Sequence, residues 1–516
     1  MRAAGAEIVE PDDSDDDLVL PSGWVETTLE EIGVWSGGGT PSKRDDTLWT
    51  GGTIPWVSPK DMKSFAISDS QDRITHQAVE KSAAKLIPAG AVLFVTRSGI
   101  LQHTFPVGVT TVEVTVNQDL KAIIPSGGID SKYVAYFLIS NNNKILHDCS
   151  KDGTTVQSID TDALKVFGFP LASLAEQKRI VSKIDELFSD IEAGGRALKG
   201  ARAKLARYRK SVLKSARTRG LPADWRAANR ERLEPADKLL ARILAARREA
   251  WEKAERAKLN AKGKAPKGEE WKRKYKEAAS LDRPPDVALP EGWKWCSFDQ
   301  IIISFLNGLS KKPAEEAPGD RILRISAVRS MAVNSNDVRF YRAENSESID
   351  GYFLEGDDLL FTRYNGSARL VGVCGRFKGK EKTLYPDKIM RARLTSPTFT
   401  LPAYVELAMN SGASAAHIGS KVKTSAGQHG IAGSDVKRVP VPLPPTAEQP
   451  EIVSRVEEAF SKADHVEAAL DEQERAARAL KQSILKAAFE GRLIPQDPAD
   501  EPAAKLLERI RKEKGK

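Results

Sequence analysis

Cysteine, histidine and long apolar runs are all scarce in this chain, and each shortage closes off a class of function. The three cysteines among 516 residues, Cys149, Cys296 and Cys374, are odd in number and far from any Cys-x-x-Cys spacing. That excludes a disulfide framework and a thiolate zinc site. The six histidines, His76, His103, His147, His417, His429 and His465, are dispersed, with no two at metal-ligand spacing on one helix face. Each is read as a surface or packing residue. No run of 18 apolar residues is present to span a bilayer. The first residues also lack the basic-then-apolar order of a secretory signal. Together with the cysteine usage, these absences lead to the expectation of a soluble protein in a reducing cytoplasm.

The signatures of catalysis are missing too. Gly37-Gly-Gly-Thr-Pro-Ser-Lys43 is glycine-rich but lacks the Gly-Lys-Ser/Thr ending of a phosphate-binding loop. There is no GxGxxG after a strand, no HExxH and no GxSxG. An Asn-Pro-Pro-aromatic run, which amino-methyltransferases use to hold a flipped base, is likewise absent. The expectation is a chain with no catalytic residues, no metal site and no cofactor of its own.

What is there is charge, unevenly placed. Glu7, Glu10, Asp12, Asp13, Asp15, Asp16 and Asp17 crowd the first residues, so 1–19 reads as an acidic, disordered tail. From Arg196 to Lys276, by contrast, 27 Lys and Arg face 9 Asp and Glu, although the whole chain carries only +8. A basic segment of that density is the electrostatic footprint of a polyanion binder, or else a solvated helical face. With 41% hydrophobic residues the chain can build real cores, and its length calls for about three or four domains.

The chain also repeats itself once. Leu20-Pro-Ser-Gly-Trp24 returns as Leu289-Pro-Glu-Gly-Trp293, and Val92-Leu-Phe94 with Thr96-Arg97 returns as Leu359-Leu-Phe361 with Thr362-Arg363. The stretch from Ala175-Glu-Gln177 to Arg217 aligns without a gap on Ala447-Glu-Gln449 to Phe489, with 15 identities in 43 positions. Glu234-Pro-Ala-Asp-Lys-Leu-Leu240 recurs as Glu501-Pro-Ala-Ala-Lys-Leu-Leu507. Four anchors in one order leave little room for chance. Within each copy, short runs rich in Val, Ile and Phe, such as Ala91–Val95 and Val439–Leu443, are broken by Gly and Pro turns. That texture is α+β, with helices expected over Lys132–Leu146 and Ala403–Gly412.

The aligned stretch has a different period. Ile180, Ile184, Leu187, Ile191, Gly194, Leu198, Ala201, Leu205, Tyr208 and Val212 step by four and three, as do Ile452, Val456, Ala459, Ala463, Val466, Leu470, Gln473, Ala477, Leu480 and Ile484. A stripe every 3.5 residues predicts coiled-coil helices whose core holds Ile180, Ile184, Leu187, Ile191, Leu198, Leu205, Val212, Ile452, Val456, Leu470, Leu480 and Ile484. Forty-three residues span roughly 65 Å, so each helix needs a partner, most economically the other copy. Two similar halves related by a pseudo-twofold axis place the helices antiparallel.

Mixed domains introduced by Leu-Pro-x-Gly-Trp and followed by a long helix beginning Ala-Glu-Gln resemble the specificity subunits of type I restriction-modification systems. Gly38-Gly-Thr-Pro-Ser42, Ile54-Pro-Trp56, Val57-Ser-Pro-Lys-Asp61 and Ala89-Gly-Ala-Val-Leu-Phe94 are similar to the family's first target-recognition domain. Glu355-Gly-Asp-Asp-Leu-Leu-Phe361 and Gly427-Gln-His-Gly-Ile431 are similar to landmarks of its second. After the acidic tail at 1–19, the resemblance implies recognition domains at 20–170 and 289–443 and coiled-coil helices at 171–217 and 444–490. A basic helical connector fills 218–288 and a basic helical tail 491–516. It further implies a non-catalytic subunit in which each recognition domain reads half of a bipartite DNA site and the helices set the spacer. Two methyltransferase subunits, which use S-adenosylmethionine, would dock on the helices, and a restriction and translocase subunit using ATP and Mg would join them. The alternatives are a coiled-coil scaffold that reads no sequence, and the specificity subunit of a methylation-only system. The long basic connector departs from the shortest family members.

Base reading needs side chains on loops that can reach base edges, with Arg for guanine and Asn or Gln for adenine. In the first domain the favoured DNA contacts are Thr40, Ser42, Lys43, Arg44, Ser58, Lys60, Arg97, Ser98, Gln102 and His103. In the second they are Arg329, Arg363, Tyr364, Asn365, Ser367, Gln428 and His429. Arg97 and Arg363 lead, because they follow an apolar strand at repeated positions and precede a glycine-containing loop. Trp24, Trp56 and Trp293 are read as core anchors.

Overall fold

The computed structural model describes residues 20–151, 157–216, 221–263, 268–344, 347–425 and 427–515; the acidic stretch 1–19 lies outside them. The fold is α+β. It comprises two compact units, Met1–Gly200 with Leu470–Lys516, and Ala201–Ala469.

In the first unit a five-stranded sheet runs in the order Gly33–Gly37, Leu120–Pro125, Val92–Val95, Val107–Thr110 and Ala66–Ile67. Val92–Val95 is apolar and buried at every position, as a strand covered on both faces must be. A three-stranded sheet, Asp72–Ile74, Ile54–Val57 and Thr115–Val116, stands beside it. Helix Ser131–Ser140 packs on the larger sheet; the Asp130 carboxylate caps it by accepting from the amides of Lys132 and Tyr133. Where the sequence suggested one helix over 132–146, the chain breaks at Asn141 and continues as Asn142–Asp148. The Asn141 side chain donates to the Phe137 carbonyl and so closes the first helix.

The second unit repeats this plan. Its four-stranded sheet has the order Ile302–Asn307, Ile389–Leu394, Leu359–Thr362 and Cys374–Arg376, and helix Pro402–Met409 lies against it. In both units a short antiparallel ladder joins the entry and exit of the mixed region. Val25–Thr28 pairs with Gly168–Leu171 in one, and Lys294–Ser297 with Pro440–Leu443 in the other.

The recurring Ala-Glu-Gln motif has a mechanical meaning. Gln177 accepts from the amide of Asp130 at 2.8 Å and donates to the Ala172 carbonyl at 2.9 Å. Gln449 likewise accepts from the amide of Leu401 and donates to the Phe399 carbonyl. Each buried glutamine thus satisfies the amide at the cap of the domain helix, which no intrahelical bond reaches, and clamps that helix to the long helix. The neighbouring glutamate faces the tryptophan of Leu-Pro-x-Gly-Trp: Trp293 Nε1 donates to Glu448 at 2.8 Å. Trp24, Trp56 and Trp293 are all buried.

The two long helices, Leu174–Ser215 and Glu448–Phe489, pack together. In the first unit Lys481 reaches Glu192 at 3.5 Å; in the second, Arg209 reaches Asp464 at 2.5 Å and Glu467 at 2.8 Å. Within the second unit Arg202 meets Glu467 and Arg209 meets Asp464, rising on one helix as the other falls, the register of an antiparallel pair. Ile180, Ile184, Leu470 and Ile484 are buried in the first unit, and Val212, Ile452 and Val456 in the second. Leu187, Ile191, Leu198 and Leu205 are half-buried. Leu480, placed in the core by the heptad, is instead 51% exposed. The seam passes through its neighbour: the Lys481 ammonium sits 4.7 Å from the centre of the Phe188 ring. Tyr208 and Val466 are exposed in the same way, beside Arg209 and Glu467, which pair. Mid-helix, long charged side chains cover the seam with their stems and pair at their tips.

The basic segment after the first long helix is more than a link. Within helix Ala236–Ala261, Leu239, Leu240 and Ile243 are buried in the core of the second unit with Trp293 and Phe298. The equivalent Leu506, Leu507 and Ile510 of helix Ala503–Lys514 enter the core of the first unit. The repeated Glu-Pro-Ala-x-Lys-Leu-Leu run therefore supplies the apolar stripe of a packed helix, with its cations on the other face. Among the described residues no helix is long and apolar enough to cross a membrane.

Candidate nucleic-acid interface

The chain order of each sheet gathers the candidate residues. In the first unit Val95 is paired with Leu120, Gly37 with Lys121, and Phe94 with Val107. The loops following Gly37, preceding Leu120 and following Val95 therefore leave the sheet at one end. Val57 pairs with Val116, which brings the loop beginning at Ser58 to the same place. These four loops carry every first-domain candidate.

Their side chains differ in what they are free to do. Thr40, Ser42, Lys43, Arg44, Gln102 and His103 are exposed. Thr40 donates to Gln118 at 2.5 Å. Arg97 donates through Nε to Asp119 at 2.8 Å; the second oxygen of Asp119 accepts from the Asn117 amide at 3.0 Å. Ser98 caps the short helix Gly99–Gln102. Lys60 is exposed but paired with Asp72 at 2.8 Å. Ser58 does not belong on a DNA-facing list: it is buried, and its hydroxyl and amide both bond to Asp61. It is the cap of the short helix Pro59–Asp61, a position that serine favours.

In the second unit the corresponding end carries Arg363, Tyr364, Asn365 and Ser367 after Leu359–Thr362. Tyr364 pairs with Gly430 and Asn365 with His429 on strand Gln428–Gly430. The Arg363 guanidinium stacks 4.8 Å from the centre of the Tyr364 ring. Asn365 accepts from the amide of Ser367, and His429 Nδ1 lies 2.9 Å from the Thr424 hydroxyl. Tyr364, Asn365, Gln428 and Lys388 line a cleft of about 220 Å³ with Ile325 and Gly366. Arg329 stands on a separate hairpin, Val328–Arg329 with Ala332–Val333, and donates to the Val328 carbonyl. A groove of about 840 Å³ also exists in the first unit, but Phe137, Phe167 and Phe489 line it, away from these loops.

Strand register changes one pairing. Val95 faces Leu120 and Thr362 faces Ile389, so Arg363 occupies the place of Thr96, and Tyr364 that of Arg97. Hydrogen bonds agree: the amides of Thr96 and Arg363 donate to the carbonyls of Asp119 and Lys388, both at 2.7 Å. The two Thr-Arg pairs are similar as text but one residue out of step on the sheet. A one-residue step turns a side chain to the other face, which leaves Thr96 buried while Arg97 is exposed. Sequence reasoning passed over Gln118, Asp119 and Lys388. Their signal was available: polar residues immediately before the apolar strands Leu120–Pro125 and Ile389–Leu394.

Comparison with known proteins accords with this geometry. Residues 21–198 match the family model described as the type I restriction modification DNA specificity domain. The type I restriction enzyme EcoKI specificity subunit of Escherichia coli (strain K12) is 34% identical over 402 residues, covering 76% of this chain and 73% of the relative. The EcoR124I/EcoR124II specificity subunit of Escherichia coli is 44% identical over 170 residues, 32% of this chain and 42% of that protein. A solved chain from "Structural basis underlying complex assembly and conformational transition of the type I R-M system" has a TM-score of 0.62. That match covers 92% of this chain and 99% of the other at 16% identity, a likeness of fold. With a duplicated α+β domain, paired long helices and a relative of this extent, the chain belongs to the family of type I restriction-modification specificity subunits.

Proposed function

We propose that the chain is the non-catalytic, DNA-reading subunit of a cytoplasmic type I complex, in which each unit's loop cluster contacts one half of a bipartite site. The observation that carries this reading is the convergence of polar loops at one sheet end in both units, with different side chains in each. Exposed Thr40, Lys43, Arg44 and Arg97 in the first unit, and half-buried Arg363 and Asn365 with exposed Gln428 in the second, supply donors for phosphates and base edges. The continuous antiparallel helices would hold the spacing between half-sites. Tyr208 and Val466 on the helices of the second unit, and Leu480 in the first, are exposed apolar side chains suited to two docked methyltransferase subunits. S-adenosylmethionine would be used by those subunits, and ATP with Mg by a restriction and translocase subunit; this chain would bind neither.

Methylation sequencing of DNA from cells expressing the chain with and without its methyltransferase partner tests the reading. A bipartite modified motif seen only when both are present is the expected result. Co-purification without any motif would replace it with a scaffold role.

A further inference from the structure

The residue immediately before the second strand of the larger sheet differs between the two units in a way that chemistry makes consequential. It is Asp119 before Leu120 in the first and Lys388 before Ile389 in the second. Three backbone relations make the positions equivalent. Leu120 and Ile389 face Val95 and Thr362, the last residues of the neighbouring strands. The carbonyls of Asp119 and Lys388 accept from Thr96 and Arg363, and the carbonyls of Thr96 and Arg363 in turn accept from Ile159 and Ile431.

At this shared position the side chains do opposite things. Asp119 is 21% exposed and doubly held, by Asn117 Nδ2 on one oxygen and by its own amide on Asn117 Oδ1, each at 3.0 Å. Its other oxygen grips only Nε of Arg97. Among the described residues neither terminal nitrogen of Arg97 has a partner, and the side chain is 58% exposed. A guanidinium fixed through Nε presents its outer fork in one orientation, and that fork matches O6 and N7 of guanine. Lys388 is exposed, and among the described residues its ammonium has no ion pair. It shares the cleft with the amides of Asn365 and Gln428. A lysine there is a mobile single-point donor, beside amides whose donor and acceptor match adenine.

We propose that this one position decides which half-site each unit accepts. Asp119 is a positioning residue that aims Arg97 at a guanine, whereas Lys388 is itself a base-reading donor. The inference rests on the DNA-reading role proposed above.

The test uses the full chain co-expressed with its methyltransferase partner, and reads the methylated motif from genomic DNA. Asp119→Ala should relax one half of the motif at a single G·C pair, raising methylation of the mismatched site by roughly ten- to a hundredfold relative to the cognate one. Asp119→Asn, which keeps an oxygen for Nε, should preserve the motif. Lys388→Ala should relax the other half only. A motif left unchanged by Asp119→Ala or by Lys388→Ala, or relaxed in the same half by both, overturns the proposal. Should Asp119→Ala abolish methylation outright, Asp119→Asn decides: an intact motif supports positioning, and uniform loss at both halves refutes it. If the unaltered chain gives no bipartite motif, the DNA-reading role itself falls, which is a separate outcome.

Discussion

The two units bury the same glutamate against the same tryptophan but balance its charge differently. In the second unit Glu448 is fully buried and meets Arg226 at 2.6 Å as well as the Trp293 indole, and the Arg226 guanidinium lies 5.6 Å from the centre of that ring. In the first unit Glu176 is buried near Trp24, yet Trp24 Nε1 and Glu176 Oε1 are not aligned into a hydrogen bond. Burial therefore pushes the Glu176 carboxyl above the ordinary carboxylate range, and the nearby indole and Arg179 pull it back only in part. A duplicated motif preserves a backbone task, clamping the domain to its helix, while the charge at its centre is left to whatever the surrounding chain supplies. Arg226 comes from the segment after the first long helix, where the second unit has a short helix, Ala223–Asn229.

The most disruptive changes should be those that put charge in the shared helical core. Ile184→Asp in the first unit and Val456→Asp in the second each place a carboxylate at a fully buried site and should cost about 3–5 kcal/mol, visible in urea unfolding. Leu480→Asp, on the same heptad but exposed, should change stability by no more than about 0.5 kcal/mol while weakening co-purification with a methyltransferase partner. Equal destabilisation by all three would restore the strict heptad.

Next in size is the contrast at the glutamates. Glu448→Gln should cost about 3 kcal/mol, since it strands the mostly buried Arg226. Glu176→Gln should cost far less, because among the described residues no guanidinium is hydrogen-bonded to that carboxylate. If both glutamines destabilise equally by thermal melting, the difference between the units is not electrostatic.

At the DNA, Arg97→Ala should lose roughly 1–3 kcal/mol of discrimination at one half-site and leave the other intact. An equal loss on every sequence would make Arg97 a phosphate contact.

The smallest effect is a pH slope. The folded Glu176 pKa lies above its unfolded value, so the stability it contributes is complete below the unfolded value and is lost as pH rises through the folded one. Melting curves of Glu176→Gln should lack that decline, whereas a wild-type slope persisting in the variant would assign it to another group.

Much of this organisation was legible in the chain. The repeat, the α+β texture and the helical period are local or periodic properties, and a stripe every 3.5 residues needs no tertiary information to be seen. Burial at Ile180, Ile184, Ile452 and Val456 follows from it directly. Surface loops were harder, because a polar residue in a loop looks the same whether it caps a helix, as Ser58 does, or is exposed to solvent, as Lys43 is.

What the sequence determined by itself, then, is the set of elements and their duplication, since propensity and period act within a few residues of each position. Only the tertiary structure decided which side chains meet. The seam moved from Leu480 to Lys481 because packing against Phe188 and Glu192 is a contact across helices. Arg97 was joined to Asp119, and Arg363 stepped out of line with it, because strand register is settled by pairing between segments distant in the chain.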